Sequence, residues 1–183
     1  LLFMGDEGII AFMTAMKHFE LDRFQEAHQT LHRKFVVVVD DSDECDRAIH
    51  FASGRAAHTI GGRVSLFRAL PKAQFMHWMA AEDMARDEAW ADAEELMTGI
   101  AGRIYDHVGL NSELIIVEGD EKESLLDLLQ NDDEIFALIL GAKAGGNPGP
   151  LVEYFSGEIS GTLPCPVVIV PGNLAPDRID TMV

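Results

Sequence analysis

Phe35-Val36-Val37-Val38-Val39 runs without a polar interruption into Asp40-Asp41-Ser42. An unbroken β-branched run suits a strand buried on both faces, because a strand with one wet face alternates apolar and polar side chains. Downstream, Cys45, Ala48, Ile49, Ala52, Ala56 and Ile60 recur at helical spacing, and Gly61-Gly62 supply positive-φ residues that stop a helix. The unit is therefore strand, acidic turn, helix.

The same alternation continues along the chain. Val64–Leu70 reads as a second strand ended by Pro71, parallel to the first because a helix connects them. A long helix follows from about Ala81 to Val108, with Met84, Ala91, Leu96, Ile100 and Ile104 as its apolar row and Trp78 and Trp90 as anchors. Leu114–Val117 makes a third strand, and Gly119-Asp120-Glu121 opens a helix through Leu125, Leu126, Leu128 and Leu129. Ile135–Leu140 is the fourth strand, Leu151–Thr162 a helix, and Val167–Val170 the fifth strand, bracketed by Pro166 and Pro171. Five strands alternating with four helices predict an α/β fold, a doubly wound five-stranded parallel sheet with helices on both faces. Residues 1–33, with His18, His28 and His32, read as an N-terminal extension, helical or partly disordered; residues 34–175 form the domain and 176–183 a C-terminal tail.

Composition narrows the function classes. A chain of 183 residues with 48% hydrophobic and 25% charged content is sized for one globular core. Its 14 Lys plus Arg against 31 Asp plus Glu give a formal charge of −17, which repels phosphate backbones and anionic lipid and excludes nucleic acid and membrane as partners. Cys45 and Cys165 lie far apart with no CxxC or His spacing, so no disulfide framework or metal cluster is expected. Ile9–Met16 is too short to span a bilayer and follows no charged leader, so the expected compartment is the cytoplasm.

In an open parallel sheet, ligands bind beyond the carboxyl ends of the strands where the strand order reverses. Two segments qualify: Asp40-Asp41-Ser42, and the loop from Gly141 to Pro150 with four glycines in its first nine residues. Gly141, Gly145 and Gly146 let backbone amides approach an anion ahead of a helix, and Lys143 is placed to contact a phosphate; the alternative is a simple connecting loop. Asp40 and Asp41 either hold ribose hydroxyls or Mg²⁺, or cap the first helix with Ser42. The loop fits neither GxxxxGK[ST] nor GxGxxG, and no GxSxG elbow is present. No catalytic residue and no metal site are assigned.

The chain resembles the universal stress protein family over roughly Lys34–Asn173. Val36–Ser42 is similar to the family's first strand and acidic turn, Leu138–Gly141 to its fourth strand and glycine, and Leu163–Val170 to its Pro-Cys-Pro-Val entry into the last strand. Gln74–Met79, Gly149–Val152 and Val170–Leu174 are similar to an α-proteobacterial subgroup, which implies a bacterial cytoplasm. The resemblance implies an adenine nucleotide alpha hydrolase-like fold, ATP or AMP as cofactor with Mg²⁺, and a homodimer paired through the last strand. ATP-binding members read Gly, two residues, Gly, nine residues, Gly-Ser or Gly-Thr. Here Gly145 falls one residue late, and Glu153-Tyr154 stands where the final pair belongs, with Ser156 as the substitute.

The expectation is a stress-response regulator with a degraded nucleotide cleft, no turnover and an unidentified protein partner. One rival is a nucleotide-binding protein with slow ATP hydrolysis; another is a dimeric platform working through its N-terminal segment. Val167, Val168, Ile169 and Val170 form an edge without charges, which a two-fold copy would satisfy.

Overall fold

Strand β1 (Arg33–Val38) sits at the centre of the sheet, because the chain adds strands first to one side of it and then to the other. In the computed structural model, which describes residues 32–72, 79–157 and 159–183, β2 (Gly62–Leu70), β3 (Ser112–Glu118), β4 (Ile135–Ala142) and β5 (Val167–Pro171) join it. The order is β3-β2-β1-β4-β5, and every pairing is parallel. Phe35 lies opposite Val64 on one side and Ala137 on the other. The order reverses between β1 and β4, so the crevice expected for a ligand opens there.

Alternate residues of β1, and Val39 just after it, point into two cores. Phe35, Val37 and Val39 meet α1 (Asp43–Ala57) and α2 (Met79–Val108) through Ala48, Ile49, Ala52, Met97, Ile100 and Ile104. Val36 and Val38 meet α3 (Glu121–Asn131) and α4 (Pro150–Ser156) through Leu125, Leu129, Val152 and Phe155. Both faces are covered, which is why the run from Phe35 to Val39 carries no polar alternation. A short α5 (Pro176–Asp180) ends the chain; its Ile179 is fully buried and the helix packs on α1. Residues 32–183 form one compact unit.

Several sequence expectations shift. Ile60 lies beyond α1 and is 64% exposed, because the helix stops at Ala57 and His58 caps it. Of the glycine pair only Gly61 has positive φ (72°); Gly62 opens β2, where a Cβ would stand 2.1 Å from the Ala56 carbonyl oxygen. The buried row of α2 is Ala93, Met97, Ile100 and Ile104, whereas Met84 and Ala91 face solvent. The helix expected over Leu151–Thr162 breaks at Gly157 and resumes as a single 3₁₀ turn, Ser160–Thr162. The expectations on residues 1–31, on Trp78 and on most of Gln74–Met79 lie outside the described residues. Among the described residues no helix is long and apolar enough to cross a membrane.

Candidate functional site

The turn after β1 organises itself. Asp40 Oδ1 accepts hydrogen bonds from the Ser42 amide (2.9 Å) and the Ser42 hydroxyl, and Ser42 Oγ accepts from the Cys45 amide at 3.2 Å, capping α1. This is the Asx-turn and N-cap chemistry expected of short polar side chains before a helix. Asp41 turns aside to Arg68, 3.6 Å away on β2.

Gly141, at the end of β4, presses on that cap. A Cβ there would stand 2.5 Å from the Glu44 carbonyl oxygen and 3.1 Å from the Cys45 amide nitrogen. The glycine brings β4 and the first turn of α1 together, and a cleft of about 160 Å³ forms between them. Asp40, Ser42, Glu44, Glu121, Gly141 and Gly149 contribute to its walls, together with the apolar Val38, Leu140 and Val152. It is smaller than the roughly 300–1,000 Å³ of ordinary ligand pockets.

The cleft is acidic. Glu121 holds its proton more tightly than an ordinary glutamate, chiefly through burial and then through the charges of Asp40 and Asp120, against which Arg68 and Lys122 act. Lys122 stands over the Tyr154 ring, 5.2 Å from its centroid. No lysine or arginine lines the cleft among the described residues.

The glycine loop closes on itself. The Lys143 amide donates to the Pro148 carbonyl (3.2 Å), the Gly149 amide to Asn147 Oδ1 (2.8 Å), and Asn147 Nδ2 to Glu153 Oε1 (2.6 Å). Pro148 and Pro150 have no amide hydrogen to give. Gly145 and Gly146 adopt φ of 80° and 75°, with nothing within 4 Å of a Cβ at either.

The structure thus gathers Asp40, Ser42 and Gly141 of the predicted nucleotide residues around one cleft. Asp41, Lys143, Gly145, Gly146 and Ser156 are not on its walls; Lys143 is exposed, and Ser156 Oγ donates back to the Val152 carbonyl at 2.6 Å. Glu153 is tied to Asn147, so the carboxylates facing the cleft are Asp40, Glu44 and Glu121 instead. Glu44 and Glu121 escaped the sequence reading because both also read as first-turn helix acids.

Neither cysteine is a ready nucleophile. Burial pushes the Cys45 thiol up to about 12, its Sγ 3.5 Å from the Val38 carbonyl, and burial raises Cys165 as well.

Comparison with known proteins gives a consistent picture. The family described as the universal stress protein family matches residues 32–171. Among solved structures, the universal stress protein UspA of Lactobacillus plantarum is similar at 18% identity and a TM-score of 0.62, covering 77% of this chain and 99% of its own. A universal stress protein of Archaeoglobus fulgidus follows at 19% and 0.58, covering 81% and 98%. A universal stress protein family protein of Arabidopsis thaliana, solved with AMP bound, is similar at 14% and 0.50, covering 76% and 91%. At these identities the likeness is one of fold. Among curated proteins none matches the sequence.

Proposed function

Because the chain belongs to the universal stress protein family, we propose that it is a stress-response regulator that acts by association and holds adenine nucleotide only weakly. The observation that carries this reading is the charge of the switch-point cleft: Asp40, Glu44 and Glu121 on its walls and no lysine or arginine on those walls among the described residues. A nucleoside phosphate entering there meets carboxylates at close range, and like charges disfavour binding in a partly desolvated site. The self-closed glycine loop and the small volume add to the cost.

The Arabidopsis relative solved with AMP bound supports adenine nucleotide as the ligand class. The residues here fit the nucleoside end better than the phosphates. Mg²⁺ arriving with a nucleotide would be held chiefly by the phosphates, because Asp40, Glu44 and Glu121 do not gather three ligand oxygens within 4.8 Å of one another. Isothermal titration with AMP and with MgATP is expected to give affinities weaker than about 1 mM, under about 4 kcal/mol of binding. Micromolar affinity, or phosphate release abolished by Asp40→Ala, overturns the reading in favour of an ATP-handling protein.

Association is proposed through β5. Ile169 is 39% exposed, and no strand pairs with the outer side of β5 among the described residues. Val170 contributes to the core instead, at 2% exposure, so Val167, Val168 and Ile169 carry the proposed homodimer contact. The motif resemblance supports a bacterial cytoplasm as the setting.

A further inference from the structure

Three side chains from three separate elements converge on the outer side of the α1–α2 layer. His50 comes from the middle of α1, His107 from the last turn of α2, and Asp180 from the end of α5. One ligand atom of each lies within 4.8 Å of the other two. His50 Nε2 is 2.7 Å from Asp180 Oδ1, and the two imidazoles meet edge to face with centroids 5.5 Å apart. We propose that His50, His107 and Asp180 form a binding site for a divalent transition-metal ion of the Zn²⁺ class, with its fourth position open to solvent.

The donor set selects the ion class. Imidazole nitrogens suit Zn²⁺, Co²⁺, Ni²⁺ and Cu²⁺, whereas Mg²⁺ and Ca²⁺ demand oxygen cages. Two histidines and one carboxylate make the three-protein-ligand arrangement that leaves a tetrahedral zinc one free position. With bonds of about 2.0–2.1 Å, ligand atoms of such a site stand roughly 3.3 Å apart. His50 Nε2 and Asp180 Oδ1 stand slightly closer than that, all three ligand atoms lie within 4.8 Å of one another, and His107 and Asp180 are both exposed and free to adjust.

Access and support are both in place. His50 and His107 form part of the wall of a cleft of about 320 Å³, which also contains Ser53, Arg47 and Arg103. The positive charge of Arg103 is answered by Asp46 at 3.1 Å. This cleft shares no residue with the one between β1 and β4. Asp180 is presented by a docked segment: Ile179 beside it is fully buried, and Val183 covers Gly54, its Cγ2 2.6 Å from where a Cβ of residue 54 would stand. A bound ion would therefore tie α1, α2 and the C-terminal helix together and stabilise that docking by mass action. The inference is independent of the nucleotide reading.

The test uses the full chain with Zn²⁺ and, as a spectroscopic probe, Co²⁺. Because the chain holds seven histidines, the site is identified by variants rather than by total metal. Wild type is expected to take up one equivalent of Zn²⁺ that shifts the imidazole resonances of both His50 and His107, and Co²⁺ is expected to give the intense visible bands of tetrahedral coordination. His107→Ala and Asp180→Asn should each weaken that uptake about a hundredfold or more, since even second-shell losses cost 10–100-fold. His58→Ala, at the α1 C-cap, should leave it unchanged. Circular dichroism before titration checks folding, and the isosteric Asp180→Asn keeps the test decisive if a histidine variant unfolds. Equal affinity in wild type, His107→Ala and Asp180→Asn, or no shift at His50 and His107, overturns the proposal.

Discussion

Gly141 shows how one residue shapes the cleft. Its missing Cβ lets β4 run within contact of the Glu44 carbonyl, so Gly141→Ala must push α1 and β4 apart. Overpacking of this kind costs about 1–3 kcal/mol, which urea denaturation should register as a lower midpoint. Gly146→Ala meets open space but sits at φ of 75°, and its expected loss is about 1–2 kcal/mol, from backbone strain alone. Both glycines were visible in the sequence as members of one loop; the close approach that separates their roles depends on Glu44, 97 residues away from Gly141 along the chain (141 minus 44). Glu121 supplies a further prediction. Its raised proton affinity in the folded state means that ionisation opposes folding in full above the folded value, and that this cost fades as pH falls through the folded value toward the unfolded one. Glu121→Gln should therefore gain stability at pH 7, by up to about 1 kcal/mol, and tighten AMP binding roughly three- to tenfold by removing one like charge.

At the scale of elements, the amino end of the sheet is held by Lys34. Its ammonium lies 2.8 Å from Asp132, 3.4 Å from Glu113 on β3 and 3.3 Å from Glu134, tying β1 to the strands and loop around it. Burial pulls the Lys34 proton affinity down, but the three carboxylates more than reverse this and raise it above the ordinary lysine value; burial pushes Asp132 up, and the hydrogen bond from Lys34 more than reverses that. The Lys34 contribution is therefore complete below an unfolded value of about 10.4 and is lost as pH climbs through the folded one. The Asp132 contribution is complete above about 3.9 and is lost as pH falls through its lowered folded value. Asp132→Asn should cost roughly 1–2 kcal/mol at pH 7, as for a charge-assisted hydrogen bond with partial exposure, and nothing in strong acid. A pH series of denaturation curves checks both limbs. The elements themselves could be read from the chain because apolar runs and glycine stops are local. Their ends were harder: Ile60 continues the helical spacing yet falls past the cap, and the α2 row slips from Ala91 to Ala93 because burial depends on which stretch of a 30-residue helix overlies the sheet.

The domain of residues 32–183 has two ends with different duties, a salt-bridged amino end of the sheet and an acidic cleft at its carboxyl end. Five parallel strands with both faces covered follow from the β-branched runs, so the architecture was open to sequence reading. The cleft was open only in part, since its acidity combines residues from the β1–α1 turn and the start of α3, which lie on opposite faces of the sheet's core. Assembly through β5 predicts that Ile169→Lys shifts sedimentation at micromolar concentration from dimer to monomer; a wild type that already sediments as a monomer contradicts the interface. The central claim, a family member whose cleft stands without nucleotide, is tested most directly by native mass spectrometry of the protein purified with no nucleotide added. The account predicts masses of whole numbers of the 20.1 kDa chain, with or without bound metal, that carry no adenine nucleotide. A stoichiometric adduct of AMP or ATP on each chain would contradict it.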